Sequence, residues 1–396
     1  MALESSLNYA DREQWHDELG YTDVAAQRLK QIFALRALVE VHASPQQALT
    51  LHALAARRTK LGQMTALTEQ LERETTMSPR QRMIARFVRG EVLVEWGQQE
   101  EGVAEYRRAL DLADAVPDKA AGVMLARLAG IAERARSRYG AGARLQREAL
   151  RRLRTLGGGE EPTDVETAFA ILLALAVCEF TLGEYPMATR SLDEAWRRLP
   201  GGAIGPWQVA SWQWTRATVL RWEDSPDRAL PLVGEARNQY AYALSYAERY
   251  AAGRFFSAAA ELVLDLASAA VPGAQARGTW ARMAREYADI ALRHGIALED
   301  DAGELLALLA LARLDIILGQ YQQALATLEG ARSRAWTIAD TPVRVQAYTM
   351  LGRLYEARGH RDAARGEYRA ALRELDTHEA FALGKWAREG LGRVGS

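Results

Sequence analysis

A spaced pattern of small and large apolar residues recurs along the chain and limits the possible folds more than any other feature. The clearest copy lies near the C-terminus and consists of Tyr348, Leu351, Gly352, Tyr355, Gly359, Ala364, Tyr368 and Ala371. Earlier copies keep this order and contain Leu308, Leu311, Ala312, Gly319, Ala324, Leu328 and Ala331; Leu172, Leu175, Ala176, Gly183, Ala188, Leu192 and Ala195; and Gly90, Gly97, Gly102, Tyr106 and Ala109. Because self-similarity over roughly 20 to 50 residues is the signature of a repeat architecture, these copies predict an array of small units.

The pattern resembles the tetratricopeptide repeat, in which two antiparallel helices pack tightly because Gly or Ala lies where their backbones come closest. The resemblance covers most of residues 45–376. Ala109, Ala149, Ala195 and Ala236 end successive copies and are separated by 40, 46 and 41 residues, more than the usual unit of the family. Each helix is therefore expected to gain about one turn, roughly 3.6 residues. Long, degenerate repeats of this kind are similar to the sensor arms of bacterial regulators, such as the maltotriose-responsive transcription activator and the peptide-sensing repeat regulators of Gram-positive bacteria.

The resemblance implies an all-α fold, a right-handed superhelix (α-solenoid) of about eight helical hairpins. One continuous array is expected over 45–376, with N-terminal capping helices in 1–44 and a C-terminal capping helix in 377–396. Prolines at helix starts and glycines between paired helices place the hairpins at 46–75, 79–115, 118–154, 163–199, 206–242, 244–294, 301–337 and 341–376. The glycines expected between paired helices are Gly62, Gly97, Gly183, Gly319 and Gly359. The pattern does not set the register of the long hairpin 244–294.

Charge and composition exclude several classes of protein. The 50 basic and 51 acidic residues give a net charge of −1, so we expect no direct binding to nucleic acid or to an anionic membrane. With two Asn and 11 Pro residues, the chain lacks the turn residues that many short strands need, which excludes an all-β fold. The N-terminus has no apolar signal segment, and no apolar run is long enough to span a bilayer. A cytoplasmic protein is therefore expected.

The residues that catalysis and metal binding require are absent or scattered. With four scattered Lys residues the chain has no phosphate-binding loop, and it has no zinc-binding helix or nucleophile elbow. No two of the six His residues are three or four positions apart. The single cysteine, Cys178, lies in an apolar segment, which favours a buried side chain over a reactive thiol. The acidic run 299–301 is more typical of a helix start than of a metal or partner site. The sequence predicts a non-enzymatic protein without a cofactor or metal.

The family resemblance implies that the first helix of each hairpin lines a concave groove and contacts ligands along one face. That face follows the i, i+3, i+7, i+10 spacing of a helix. The predicted binding groove consists of Phe87, Arg127, Arg134, Leu173, Val177, Phe180, Trp207, Trp214, Thr218, Arg221, Arg313 and Arg353. The surface predicted from these residues has an apolar, aromatic middle surrounded by arginines, with its centre between hairpins 163–199 and 206–242.

Two interpretations of this stripe remain open. In the first, the tryptophans supply contact area while the arginines bind carboxylate or phosphate groups. In the second, the apolar members pack between repeats and the arginines pair with neighbouring Glu and Asp. Trp212 and Trp222 lie off the stripe and are expected in the core.

The resemblance favours a sensor or scaffold arm of a bacterial regulatory system that binds a peptide, a protein segment or a small acidic ligand. The main alternative is a protein-assembly adaptor with no small ligand, and an accessory to an enzyme, such as a phosphatase regulator, is a third. No helix-turn-helix or ATPase segment is present, so we expect either a fragment of a larger regulator or a protein with separate partners. The sequence predicts no oligomeric state.

Overall fold

Helical spacing of apolar residues throughout the chain produces an all-α structure, as predicted. The computed structural model describes residues 51–73, 77–95, 98–116, 119–156, 162–198, 206–241, 246–271, 273–338, 340–375 and 381–395. Within these ranges helices account for 88% of the residues and no strand occurs. The α-helices are α1 (Leu51–Glu72), α2 (Pro79–Glu95), α3 (Gln99–Ala113), α4 (Lys119–Ala135), α5 (Tyr139–Thr155), α6 (Pro162–Thr181), α7 (Tyr185–Arg197), α8 (Pro206–Trp222), α9 (Pro226–Tyr240), α10 (Tyr246–Ala269), α11 (Gln275–Leu298), α12 (Asp301–Ile317), α13 (Tyr321–Ala335), α14 (Thr341–Ala357), α15 (Arg361–Leu375) and α16 (Lys385–Gly395).

Helices α2 to α15 form seven consecutive hairpins, each made of an even-numbered helix and the odd-numbered helix after it. Every helix packs on the next one along the chain, from α2–α3 to α14–α15. The first helices of neighbouring hairpins also contact one another, most extensively in α10–α12 and α12–α14. These even-numbered helices therefore form the inner layer of the array, and we call the face that they line the groove.

The two helices of a hairpin approach so closely that a side chain larger than hydrogen does not fit at the crossing point. A Cβ atom added to Gly90 would lie 3.1 Å from the carbonyl oxygen of Gly102, and one added to Gly130 would lie 3.1 Å from that of Gly142. At the last hairpin, a Cβ atom on Gly352 would lie 2.5 Å from the ring of Tyr368. The small residues of the repeat pattern thus mark the contacts that hold each pair together.

Left-handed residues end the first helix of most hairpins. Gly183, Gly319 and Gly359 have positive φ angles of 85°, 78° and 78° and lie between paired helices, as predicted. Ser137 and Asp224 take the same position in two other hairpins, each with φ of 59°. Glycine relieves the Cβ clash of this conformation, which is why it dominates the position.

The predicted hairpin 46–75 is wrong where the structure describes it. A single helix, α1, covers Leu51–Glu72, and Gly62 lies in its middle rather than in a turn. A Cβ atom at Gly62 would meet nothing within 4 Å, so no close helix contact demands glycine there. One glycine inside a helix costs about 1 kcal/mol, which a helix tolerates. No further turn-forming residue follows Gly62 that would help to end the helix there. Gly97 and the N-terminal caps predicted in 1–44 lie outside the described residues.

Ion pairs join three hairpins to the next one along the array. In each pair, an Arg on the second helix of one hairpin contacts a buried acid on the first helix of the next hairpin. That acid lies three positions after the small residue of the repeat pattern on the same helix. The pairs are Arg107–Glu133, Arg147–Glu179 and Arg285–Asp315. Burial raises the pKa of Asp315, while attraction by Arg285 opposes the increase. The repeat pattern therefore also encodes contacts between units.

The C-terminal segment packs on the last hairpin. Helix α16 contacts α14 and α15, and the 3-10 turn Phe381–Gly384 before it also contacts α6, four hairpins earlier in sequence order. No helix in the described part of the chain is long and apolar enough to cross a membrane.

We predict that Gly352→Leu strongly destabilises the C-terminal hairpins, because the added side chain would overlap the Tyr368 ring. Overpacking of this kind costs typically about 1 to 3 kcal/mol, and more where backbone must move. Hydrogen exchange should increase over α14 to α16 while α2 to α5 keep their protection, since repeats are stabilised mainly by neighbours. The matched control is Gly366→Leu on α15, where a Cβ atom would meet nothing within 4 Å. Equal loss of protection along the whole array would contradict the prediction.

Candidate functional site

The groove face of α6 carries an apolar stripe. Leu173, Val177 and Phe180 are half-buried, whereas most of the α6 residues between them are buried. Leu173 and Phe180 also pack on the cores of the adjoining hairpins, but Val177 joins no core cluster. The stripe is therefore partly packing surface and partly an apolar wall that faces the groove.

Two predicted groove tryptophans on α8 are half-buried and pack against aromatic rings of the next helices. The rings of Trp207 and Trp214 lie 5.0 and 5.9 Å from that of Tyr240 in edge-to-face geometry. Trp214 makes a second such contact with Phe255 of α10, at 6.0 Å. Thr218 donates its hydroxyl hydrogen to the carbonyl oxygen of Trp214, 2.9 Å away. This part of α8 is consequently a rigid wall whose rings are fixed by packing.

Four charged residues from three inner helices meet towards the C-terminal ends of these helices, and we call them the charge cluster. Arg221 of α8 donates to Asp265 at 2.6 Å and to Glu261 at 3.2 Å. Arg313 of α12 donates to the same two carboxylates, at 2.6 Å for Glu261 and 2.5 Å for Asp265. Both acids lie on α10, four residues apart and thus on one face of the helix. Gln346 of α14 adds a hydrogen bond of 3.2 Å to Glu261.

Burial makes this charge cluster electrostatically strong. The side chains of Arg313 and Glu261 are 5% and 7% exposed. Burial alone would raise the pKa of Asp265, but attraction by Arg221 and Arg313 outweighs it and holds the pKa well below its usual range. Burial likewise disfavours the charge on Arg313, and the two acids more than offset this and raise its pKa. Asp265 and Arg313 are therefore both charged at neutral pH.

A third arginine lies beside the charge cluster without a carboxylate of its own. In the described part of the chain no carboxylate lies within ion-pair distance of Arg353 on α14. Burial, and then repulsion from Arg313, lower the pKa of Arg353 to about 10. Three guanidinium groups thus face two carboxylates, which leaves a positive charge on this side of the groove.

The start of α16 crosses the groove to α8. The Lys385 ammonium donates to the carbonyl oxygen of Trp222 at 2.8 Å and to Asp224 at 2.7 Å. The indole of Trp386 lies 4.5 Å from the ring of Trp222. The guanidinium carbons of Arg221 and Arg353 lie 4.5 and 5.7 Å from the centre of the same indole. Residues more than 160 positions apart therefore meet across the groove.

The predicted groove residues on the first two hairpins lie away from the charge cluster. Phe87 is 1% exposed and its ring lies 6.1 Å from that of Tyr106, so it belongs to the core of the first hairpin and offers no surface to a ligand. Arg127 is buried within α4, and its carbonyl oxygen accepts a hydrogen bond from Gln146. Arg134 is half-buried near the end of α4. The structure brings together Arg221, Arg313 and Arg353, and it links Phe180 to them through Trp222, 6.5 Å away.

Sequence reasoning missed Glu261, Asp265 and Trp386. The two acids lie in the long hairpin 244–294, whose register the sequence pattern does not set. Their four-residue spacing is the one signal that places two carboxylates on one helix face, where they can pair with arginines. Trp222 is buried, as predicted, yet its ring also forms part of the groove wall. Nothing in the repeat pattern indicates that Trp386 returns to α8, because the C-terminal segment lies outside the repeats.

Two other candidate groups have structural roles in this molecule. Burial raises the pKa of the Cys178 thiol to about 11, which suits a packing residue rather than a nucleophile. In the acidic run 299–301, Asp300 precedes α12 and pairs with Arg254 at 2.8 Å. No cluster of three or more His, Cys, Asp or Glu side chains suited to a metal occurs among the described residues.

No protein-family profile and no curated protein sequence matches the chain. Several solved structures share its fold. The apo form of the quorum sensor NprR from B. thuringiensis aligns over 94% of this chain and 94% of its own, with a TM-score of 0.57 and 12% identity. A Rap protein complexed with Competence and Sporulation Factor aligns over 91% and 99%, with a TM-score of 0.53 and 11% identity. The Rap conjugation gene regulator of plasmid pLS20 in complex with the Phr* peptide aligns over 88% and 97%, with a TM-score of 0.54 and 10% identity. At these identities the likeness concerns the fold, which is that of the tetratricopeptide-like helical-repeat proteins.

We predict that Asp265→Asn destabilises the protein by about 3 to 5 kcal/mol at pH 7, because it leaves two buried guanidinium groups with one carboxylate. Since the folded-state pKa of Asp265 is lowered, its contribution is present above the unfolded value of about 3.9 and is lost as the pH falls further. Denaturant unfolding at several pH values should therefore show the variant and the parent converging below about pH 4.

The control for this prediction is Glu286→Gln, which breaks the exposed ion pair with Arg237. Exposed pairs contribute less than about 1 kcal/mol, so this variant should unfold like the parent. A difference between parent and Asp265→Asn that stays constant down to pH 2 would contradict the lowered pKa of Asp265.

Proposed function

We propose that the chain is a non-catalytic binding module whose groove takes a peptide or protein segment with an apolar part and an acidic group. It acts in the cytoplasm as the sensor or scaffold arm of a bacterial regulatory system. The observation that carries this proposal is the excess of guanidinium groups over carboxylates in the groove, beside an apolar wall.

The charges of the groove are unevenly paired. Arg221 and Arg313 pair with Glu261 and Asp265, whereas half-buried Arg353 has no carboxylate of the described residues within ion-pair distance and is attracted by the two acids only from further away. A buried charge is costly unless it is paired, so an acidic group in contact with Arg353 gains a strong, charge-assisted interaction. Val177 and Phe180 on the nearby wall add apolar contact area for the rest of the ligand.

The structural comparisons support a peptide as the ligand. Two of the proteins that share the fold are described in complex with the Phr* peptide and with the cognate peptide NprX, and the latter aligns over 83% of this chain with a TM-score of 0.54. A helical array presents many inner side chains in line, which suits an extended chain better than a compact small molecule.

An assembly adaptor without a groove ligand is the second candidate. Large apolar side chains near the ends of outer helices favour it: Trp336 and Ile296 are both 60% exposed. Exposed aromatic residues of this size are enriched where proteins bind one another. This candidate places the binding surface on the outside of the array.

The experiment is a selection of binders from a displayed random peptide library, followed by affinity measurements on variants of the full chain. We predict that Val177→Asp and Trp214→Ala each weaken binding of the selected peptides at least about tenfold, a change of roughly 1.4 kcal/mol. Val177→Asp places a negative charge on the groove wall, and Trp214→Ala removes a ring from it.

The matched control is Ala326→Asp, which adds the same charge to an exposed position on the outer helix α13. Circular dichroism on every variant verifies folding. If the Trp336→Ala variant binds the selected peptides more weakly than the parent while the two groove variants bind them normally, the result favours the adaptor. Normal binding by both folded groove variants would overturn the proposed site.

A further inference from the structure

Helix α16 makes two separate sets of contacts. Ala387, Gly390 and Val394 are buried against the last hairpin, where a Cβ atom on Gly390 would lie 2.3 Å from the Tyr368 ring. Arg393 secures the same end through an ion pair of 2.7 Å with Glu356. Together with the 3-10 turn before α16, these contacts cover the apolar face of the last hairpin. The crossing of Lys385 and Trp386 to α8 is not needed to cap the array.

Trp386 occupies a defined position beside the charge cluster, which we call the aromatic seat. Its sides are the ring of Trp222 and the guanidinium groups of Arg221 and Arg353. A flat ring between cations and another ring is a favourable arrangement for any aromatic side chain, not for this indole alone.

The aromatic seat lacks one component that its charges call for. Trp386 offers Arg353 the face of a ring but no carboxylate, and among the described residues no carboxylate lies within ion-pair distance of Arg353. A ligand that combines an aromatic side chain with an adjacent carboxylate would satisfy both the ring position and the unmatched charge. The C-terminal residue of a peptide that ends in Trp, Tyr or Phe has this combination.

We propose that the aromatic seat binds the aromatic C-terminal residue of a peptide ligand, and that Trp386 is an intramolecular competitor for the same position. The proposal deepens the proposed function and rests on it. Binding of the peptide displaces Lys385 and Trp386 from α8 and frees the start of α16. Ligand binding in the groove is thereby linked to the packing of the C-terminal segment.

The link has a simple electrostatic basis. Lys385 is held at α8 by the carbonyl oxygen of Trp222 and by Asp224, whose side chain is largely exposed, so the ion pair itself adds little to the crossing. The opposite end of α16 keeps its own contacts with α14 and α15. The start of α16 can therefore leave α8 while the rest of the helix stays in place.

The test measures the affinity of a fluorescein-labelled peptide, Gly-Gly-Gly-Leu-Trp, with a free or an amidated C-terminus. We expect Trp386→Ala in the full chain to bind the free-acid peptide at least about tenfold tighter than the parent, because the competitor is removed. Amidation, or Arg353→Gln in the same background, should abolish this gain. Arg369→Gln, an exposed arginine on α15, is the matched control. Competition by N-acetyl-tryptophan shows whether the aromatic seat prefers a free amino acid derivative or the C-terminal residue of a peptide.

A second variant keeps the test decisive if Trp386→Ala does not fold. Lys385→Gln weakens the crossing but retains the indole, and it should tighten binding in the same direction by about threefold. Hydrogen exchange over 381–390 should increase in the parent when the peptide binds.

Equal affinities of parent and folded Trp386→Ala, or equal affinities for the free and amidated peptides, would overturn the aromatic seat. Peptides from the library that need Val177 and Trp214 but leave hydrogen exchange over 381–390 unchanged would also overturn it. That last result would leave the proposed function intact, whereas library peptides insensitive to both groove variants would remove the proposed function itself.

Discussion

Close approach of two helix backbones within each hairpin is the contact on which the rest of the structure depends. At the Gly90–Gly102 and Gly130–Gly142 crossings no room exists for a methyl group. A hairpin packed this tightly buries one face internally and leaves the other to be covered by its neighbours, so hairpins must stack. Stacking places the first helices side by side on the inside. The groove is therefore a direct consequence of where the small residues lie.

Buried charges then connect parts of the array that stacking alone would leave independent. The charge cluster joins α8, α10 and α12, and Gln346 extends it to α14. Desolvation makes such a cluster costly, and close pairing is needed to offset that cost. Because each arginine contacts two acids, the removal of one acid affects both arginines. The cluster consequently fixes the positions of the inner helices relative to one another.

Four of the predicted groove residues show three different outcomes in the structure, and the reasons differ. Val177 stays half-buried and joins no core cluster, because it lies to one side of the α6 face that packs on α7 through Ala176. Trp207 and Trp214 share the predicted face of α8, but the rings of Tyr240 and Phe255 reach them, so much of their surface serves packing. Phe87 has the correct spacing and still lies in the core. Spacing predicts the face of a helix, whereas the partner side chains decide how much of it remains open.

The sequence by itself determined the all-α fold and the approximate hairpin boundaries from 79 onward. These properties follow from local periodicity, from small residues at the crossings and from glycines such as Gly319 that accept a left-handed backbone. Only the tertiary structure decided that Arg221 and Arg313 pair with acids of α10 while Arg353 does not, and that Trp386 crosses to Trp222. Such contacts join residues dozens to more than a hundred positions apart. Small rotations between successive hairpins accumulate along the array and determine which distant residues meet. No local pattern in the sequence encodes the accumulated rotation.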